Sequence, residues 1–230
     1  MSPDTTGFRH FHNQLSTLKQ RLLDMSQRAE ELVELSVEAL LTRDTGKAEA
    51  VVAGDHEVDM LELEVEQLGI ELLALQQPMA RDLRFIIGAI KISSDVERVG
   101  DHAVNIAECA LRLNELGGGI AAPPEIEEMA RRARLMLSDA LDAFIRADGT
   151  LGREVCRSDD HVDALHNSVF RILLTHMMAE PRTITPALEL LLVSRNLERV
   201  ADLATNIGED AVYLAEGKQI KHQAEKQIAR

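Results

Sequence analysis

The sequence predicts an all-α chain: two tandem antiparallel three-helix bundles related by internal duplication. Three observations carry that expectation. Apolar residues recur at alternating steps of three and four along most of the 230 residues, and no stretch alternates residue by residue as a half-buried strand would. The segment Glu97-Arg98-Val99-Gly100-Asp101-His102-Ala103-Val104-Asn105-Ile106-Ala107-Glu108 returns 101 residues later as Glu198-Arg199-Val200-Ala201-Asp202-Leu203-Ala204-Thr205-Asn206-Ile207-Gly208-Glu209. Between the copies, Gly117-Gly118-Gly119 and Pro123-Pro124 make the clearest break in the chain. The expected organisation is a first three-helix repeat over 8–116, a Gly/Pro linker at 117–124, a second three-helix repeat over 125–217 and a polar tail over 218–230.

The first helix is read from Phe8, Phe11, Leu15, Leu18, Leu22, Met25, Ala29, Leu32, Ser36 and Ala39, a heptad seam that stops at Asp44-Thr45-Gly46. Asp44 or Thr45 can cap the next helix. That second helix carries Val51, Gly54, Val58, Leu61, Val65, Leu68, Leu72 and Leu75, and Pro78 ends it or begins its successor. The third carries Phe85, Ala89, Ile92, Val96, Val99, Ala103, Ile106, Ala110 and Leu113 and stops at the glycine run. The fourth repeats the first in shortened form, with Ile126, Met129, Ala133, Met136, Ala140 and Ala143, and Asp148-Gly149 breaks it. The fifth carries Val155, Val162, Leu165, Val169 and Ile172. Pro181 and Pro186 bracket the next junction, where Thr185 is the expected N-cap. The sixth carries Leu190, Val193, Leu197, Val200, Ala204, Ile207, Ala211 and Leu214. Apolar residues flank these seams, as at Ile86, Ile90, Val104 and Leu111, and so wide a stripe suits a bundle interior.

Composition narrows the function classes. Apolar residues make up 45% and charged residues 28%, which fits a globular chain with a sizeable core. Aromatics are 3%, with no Trp, so base-stacking platforms are missing. A formal net charge of −14 repels nucleic acid and anionic headgroups and attracts cations. Cys109 and Cys156 lack metal-finger or disulfide spacing and read as thiols in a reducing cytoplasm. The N-terminus has no signal-peptide pattern, and no apolar run is long enough to span a membrane.

The repeated segment carries the chemistry. Each copy places Glu, Asp, Asn and Glu at i, i+4, i+8 and i+11, which form one stripe on a helix: Glu97, Asp101, Asn105 and Glu108, then Glu198, Asp202, Asn206 and Glu209. The heptad register puts the third-helix stripe away from the apolar seam, at the surface. The second helix adds Asp55, Asp59, Glu62 and Glu66 on one face, and the fifth matches it in part with Asp159, Asp163, His166 and Phe170. Neighbouring antiparallel helices bring both stripes to one groove. Crowded carboxylates repel unless protonated or neutralised by a cation, and hard oxygen donors suit magnesium, manganese, calcium or iron. Acidic stripes on long helices are ordinarily solvated faces laced with ion pairs, and Arg98 and Arg199 stand beside these. Recurrence in both units weighs against a merely solvated face.

At these residues the chain resembles the PhoU family of phosphate-specific transport regulators. The likeness rests on the doubled Glu-Arg-Val-x-Asp…Asn-Ile-x-Glu segment, on Asp55-x-x-Val58-Asp59-x-Leu61-Glu62, and on Gln77-Pro78-Met79-Ala80-Arg81-Asp82-Leu83-Arg84. It covers about Phe8 to Gly217. The resemblance implies a cytoplasmic, non-enzymatic negative regulator of phosphate uptake and of the phosphate regulon. Such proteins link the ABC phosphate transporter, through its ATPase subunit PstB, to the sensor histidine kinase PhoR, and several are dimers. Some hold multinuclear iron or zinc clusters at the acid-x-x-x-Asp motifs, and others carry magnesium or no transition metal. Carried over, the implied metal ligands are Asp55, Asp59, Glu62, Glu97, Asp101, Asn105 and Glu108 in the first unit, and Asp159, Asp163, Glu198, Asp202, Asn206 and Glu209 in the second. His166, Phe170 and Asn196 replace Glu62, Glu66 and Asp95, so weaker or different metal occupancy is expected in the second unit. The competing reading is a carboxylate-bridged metal-binding, iron-storage or oxidase bundle of ferritin type. That class needs inward Glu and Glu-x-x-His, whose nearest match is Asp163-x-x-His166. A histidine phosphotransfer bundle ranks below it, since His56 and His161 lack a neighbouring Lys.

Overall fold

The computed structural model describes residues 5–117, 119–218 and 220, with side chains from residue 10 onward. The side chain of Phe8, Gly118 and most of the polar tail lie outside these. Six α-helices follow one another: α1 (Thr5–Thr42), α2 (Thr45–Gln76), α3 (Ala80–Glu115), α4 (Pro124–Arg146), α5 (Gly149–Ala179) and α6 (Ile184–Glu216), with a short 3-10 turn at Pro181–Thr183 before α6. No strand occurs among the described residues. Helices α1, α2 and α3 pack on one another, as do α4, α5 and α6.

The two repeats turn the same corner with the same device. Arg43 and Ala147 adopt left-handed φ values of 56° and 52° after α1 and α4. The next amide then reaches back to close the helix end, Asp44 to the Ala39 carbonyl at 3.0 Å and Asp148 to the Ala143 carbonyl at 2.8 Å. Those aspartates cap the following helix: Asp44 accepts from the Lys47 amide, and Asp148 from those of Thr150 and Leu151. At the later junction the expected cap is corrected. Helix α6 starts at Ile184 and Thr185 lies inside it, because the Pro181–Thr183 turn already winds the chain. Thr183 spends its hydroxyl on the carbonyls of His176 and Glu180.

The seams form the core. From Leu18 to Ala39 every predicted α1 position is buried, as are all six named in α4 and all eight in α6. Each large aliphatic removed from water contributes about 1.5–3 kcal/mol, against about 0–1 for an exposed ion pair, so burial holds the bundles. Helix α2 departs from its heptad reading. Val51, Val58, Val65 and Leu72 are buried, whereas Leu61 and Leu68 are half-buried and Leu75 is 71% exposed. A straight helix drifts about 20° per heptad, so one flank of the stripe rotates outward. Gly69 moves inward in its place, against Ile90.

The repeats share one core rather than sitting apart. Helix α3 packs on α6 and α1 on α4. Phe144 of α4 stacks on Phe85 of α3 with ring centroids 5.0 Å apart, and its edge lies against Gly88, where a Cβ would meet the ring at 2.7 Å. Arg112 to Glu189 at 3.0 Å, Arg134 to Glu34 at 2.8 Å, and Lys91 to Asp210 bridge the halves.

Candidate functional site

The α2–α3 groove assembles five of the seven first-repeat residues. Asp55 lies over the bare backbone of Gly100, where a Cβ would fall 2.5 Å from its Oδ1. That oxygen is buried and has no hydrogen-bond partner. Burial first, then the charges of Asp59 and Asp101, push the Asp55 carboxyl up to about 6. Across the groove, burial and then Asp101, Glu62, Asp59 and Asp55 push Glu97 up to about 7. Glu62 is raised too, by burial and Glu66 first, with Ser94 hydrogen-bonding against the shift. Asp55, Asp59, Glu62, Glu97 and Asp101 therefore share one field. Glu66, which the sequence reading set on this face but left out of the ligand set, belongs to its edge.

The other two do not join them. Asn105 lines the groove between α3 and α6, and Glu108 pairs with Arg112 at 3.6 Å. Asn105 is turned about 80° from Glu97 around α3, and Glu108, back within about 20° of it, stands about 16 Å further along the helix, beyond the α2 carboxylates.

The second repeat repeats the arrangement with fewer carboxylates. Asp159 stands where Asp55 does, and its Oδ1 is likewise buried without a partner. Burial, then Asp202, Asp163 and Glu198, push it up to about 7. Asp202 is raised by burial and Glu198, with Arg199 opposing. His166, in the place of Glu62, turns its Nδ1 to the Ser194 hydroxyl at 2.6 Å. Glu209 lines a different recess, with Arg84, Lys91 and Tyr213. Cys156, read from sequence as an ordinary thiol, lies close enough for Glu209 and Asp159 to raise it after burial does, to about 11. A lone Cys at a first-repeat valine position gave no spacing signal.

Two equivalent buried oxygens without partners, each among carboxylates, fit a hard cation. Asp55, Asp59, Glu97 and Asp101 are the residues that would hold one in the first repeat, and Asp159, Asp163, Glu198 and Asp202 in the second. Among the described residues no three His, Cys, Asp or Glu side chains already converge as a ligand cage, so binding would require the carboxylates to turn inward. Among the described residues the bundle cores hold no carboxylate: the buried polar side chains are Ser26, Ser36, Ser93, His102, Thr183 and Ser194. The inward glutamates of a ferritin-type centre are therefore not found among the described residues.

Comparison with known proteins agrees with the doubled architecture. The PhoU domain model matches twice, at residues 22–110 and 126–211. The chain is 40% identical over 216 residues to a phosphate-specific transport system accessory protein PhoU homolog of Caulobacter vibrioides, covering 94% of each chain. The crystal structure of PhoU from Pseudomonas aeruginosa superposes with a TM-score of 0.86 at 35% identity, covering 90% of this chain and all of that one. That of the phosphate transport system regulatory protein PhoU from Streptococcus pneumoniae gives 0.84 at 29%, covering 92% and 99%. With both repeats matched by the domain and the whole helical architecture shared, the chain belongs to the PhoU family.

Proposed function

We propose that this chain is a cytoplasmic, non-catalytic regulator of phosphate uptake, docking on the ATPase subunit of an ABC phosphate transporter and on a sensor histidine kinase, and repressing the phosphate response. Relatives named as accessory to the phosphate-specific transport system support the transporter half of this reading. No helix among the described residues is long and apolar enough to cross a membrane. The observation that carries the site is the pair of partnerless oxygens at Asp55 and Asp159. Each is surrounded by carboxylates that a bound cation would neutralise, and that neutralisation sets the charge of the face offered to partners. The metal is one of iron, zinc, manganese or magnesium. Because His166 is engaged by Ser194, the second repeat offers the poorer donor set. A homodimer completes the proposal.

The test is binding of the purified chain to the transporter ATPase PstB, with and without chelator, for wild type and Asp55→Asn/Asp159→Asn. Binding that weakens on chelation and in the variant supports the reading. Absence of binding in every condition overturns the docking claim, and equal binding in every condition overturns the role given to the cation.

A further inference from the structure

We propose that the groove between α3 and α6 on the Arg112 side of the repeat interface is an oxyanion site that takes a phosphoryl-type group. The recess has a volume of about 280 Å³. Arg195 and Arg199 lie one turn apart on its α6 wall, and Asn105 and Arg112 stand on its α3 wall.

Charge is the first argument. This is a chain of net charge −14, and many of its arginines are tied to carboxylates: Arg28 to Glu57 at 2.6 Å, Arg134 to Glu34 at 2.8 Å, Arg153 to Glu216 at 2.7 Å. Arg112 is held the same way, by Glu189 at 3.0 Å and Glu108 at 3.6 Å. Arg195 and Arg199 have no carboxylate within 4.0 Å among the described residues. Asp202, one turn beyond Arg199, feels its charge but does not pair with it. Unpaired arginines on an acidic surface are ordinary. This pair shares a recess with further donors, and that is what makes a site.

Preorganisation is the second argument. Asn196 donates its amide to the Leu192 carbonyl at 2.8 Å and accepts from His102 Nδ1 at 2.9 Å. The His102 ring is thereby fixed, its Nδ1 carrying the proton. The wall beneath the arginines is therefore locked before any ligand arrives. Arginine forks match the oxygens of a phosphoryl group in a way that a chloride ion cannot exploit.

The third argument is asymmetry. The internal repeat relates this groove to the recess holding Lys91 and Tyr213. In the other repeat the counterparts of Arg195, His102 and Arg112 are Ser94, Leu203 and Tyr213, that of Arg199 is Arg98, which pairs with Asp95 at 3.8 Å, and Asp210 neutralises Lys91. Among the described residues the fixed pair of His102 and Asn196 has no counterpart on that side, where Leu203 and Asp95 stand in their places.

The site shares no side chain with the carboxylates that would hold a cation, so the test separates them. Inorganic phosphate, O-phosphoserine and sulfate are titrated into the full chain by calorimetry, with sodium chloride at matched ionic strength as reference. The expected result is saturable binding of phosphate or phosphoserine, about tenfold or more weaker per arginine in Arg195→Gln/Arg199→Gln, and unchanged in Asp55→Asn/Asp159→Asn. Preference for phosphate assigns a free ion, and preference for phosphoserine assigns a group carried on a partner. Phosphate should also slow phenylglyoxal modification of Arg195 and Arg199 in the wild-type chain, read by peptide mass, while Arg157 and Arg171 react as before. Absence of saturable binding, undiminished binding in the arginine variant, or no protection overturns the proposal.

Discussion

Asp159→Asn is the most informative single substitution. Its carboxyl is pushed from an ordinary 3.8 up to about 7, by burial first and neighbouring carboxylates second. The native state therefore binds more protons than the unfolded chain between those values. Stability contributed by the protonated carboxyl is present in acid and lost as pH rises through about 7. A displacement of that size corresponds to at most about 4 kcal/mol at pH 8, and partial exposure screens it to about 1–2 kcal/mol. Replacing the carboxylate with the neutral amide removes that penalty. In chelator at pH 8 the variant should melt about 3–6 °C above wild type, and at pH 5, where the unfolded carboxyl is still ionised, the difference should shrink to roughly a third. Adding manganese or magnesium at pH 8 should raise the wild type and leave the variant behind. Thermal melts followed by circular dichroism read all three. A variant less stable than wild type in chelator at pH 8 would refute the reasoning, because the carboxylate would then be satisfied rather than strained.

Gly100→Ala adds a methyl 2.5 Å from Asp55 Oδ1, a contact the short carboxylate can relieve by turning, and the second repeat already carries an alanine, Ala201, at the equivalent position. The helix gains about 1 kcal/mol, so the melt should rise in chelator while the cation-dependent gain shrinks, measured by melts with and without manganese. Gly152→Ala has no such escape, since its Cβ would meet the Gly208 carbonyl at 2.6 Å, backbone against backbone. It should cost about 1–3 kcal/mol and lower the melting temperature with little effect on cation response. Phe144→Ala empties the joint between the repeats and should cost about 3–5 kcal/mol by urea unfolding, more than the same truncation of a half-buried side chain.

What the sequence made legible follows from periodicity. Seams that run straight into a partner, such as Leu18 to Ala39 and Leu190 to Leu214, were readable because burial repeats with the helix. Leu75 was misread because a heptad count ignores rotational drift, and Thr185 because a cap is set by the turn before it. The carboxylates nearest the α2–α3 and α5–α6 crossings were placed correctly as groups. Asn105, Glu108 and Glu209 fell elsewhere, since i+8 turns about 80° away from i, and i+11, though nearly aligned with i, stands about 16 Å further along the helix. The joint between repeats, with Phe144 on Gly88 and His102 on Asn196, depends on how two bundles dock, and no local spacing encodes that.

The central claim is that Asp55 and Asp159 each anchor a cation. Metal content per chain, by inductively coupled plasma mass spectrometry after equilibrium dialysis against iron, zinc, manganese and magnesium, tests it most directly. The account predicts bound metal in the wild-type chain, a partial loss in either Asp55→Asn or Asp159→Asn, and a loss of nearly all of it in the double variant. Equal metal content in wild type and double variant would contradict it and return both acidic faces to ordinary surface electrostatics.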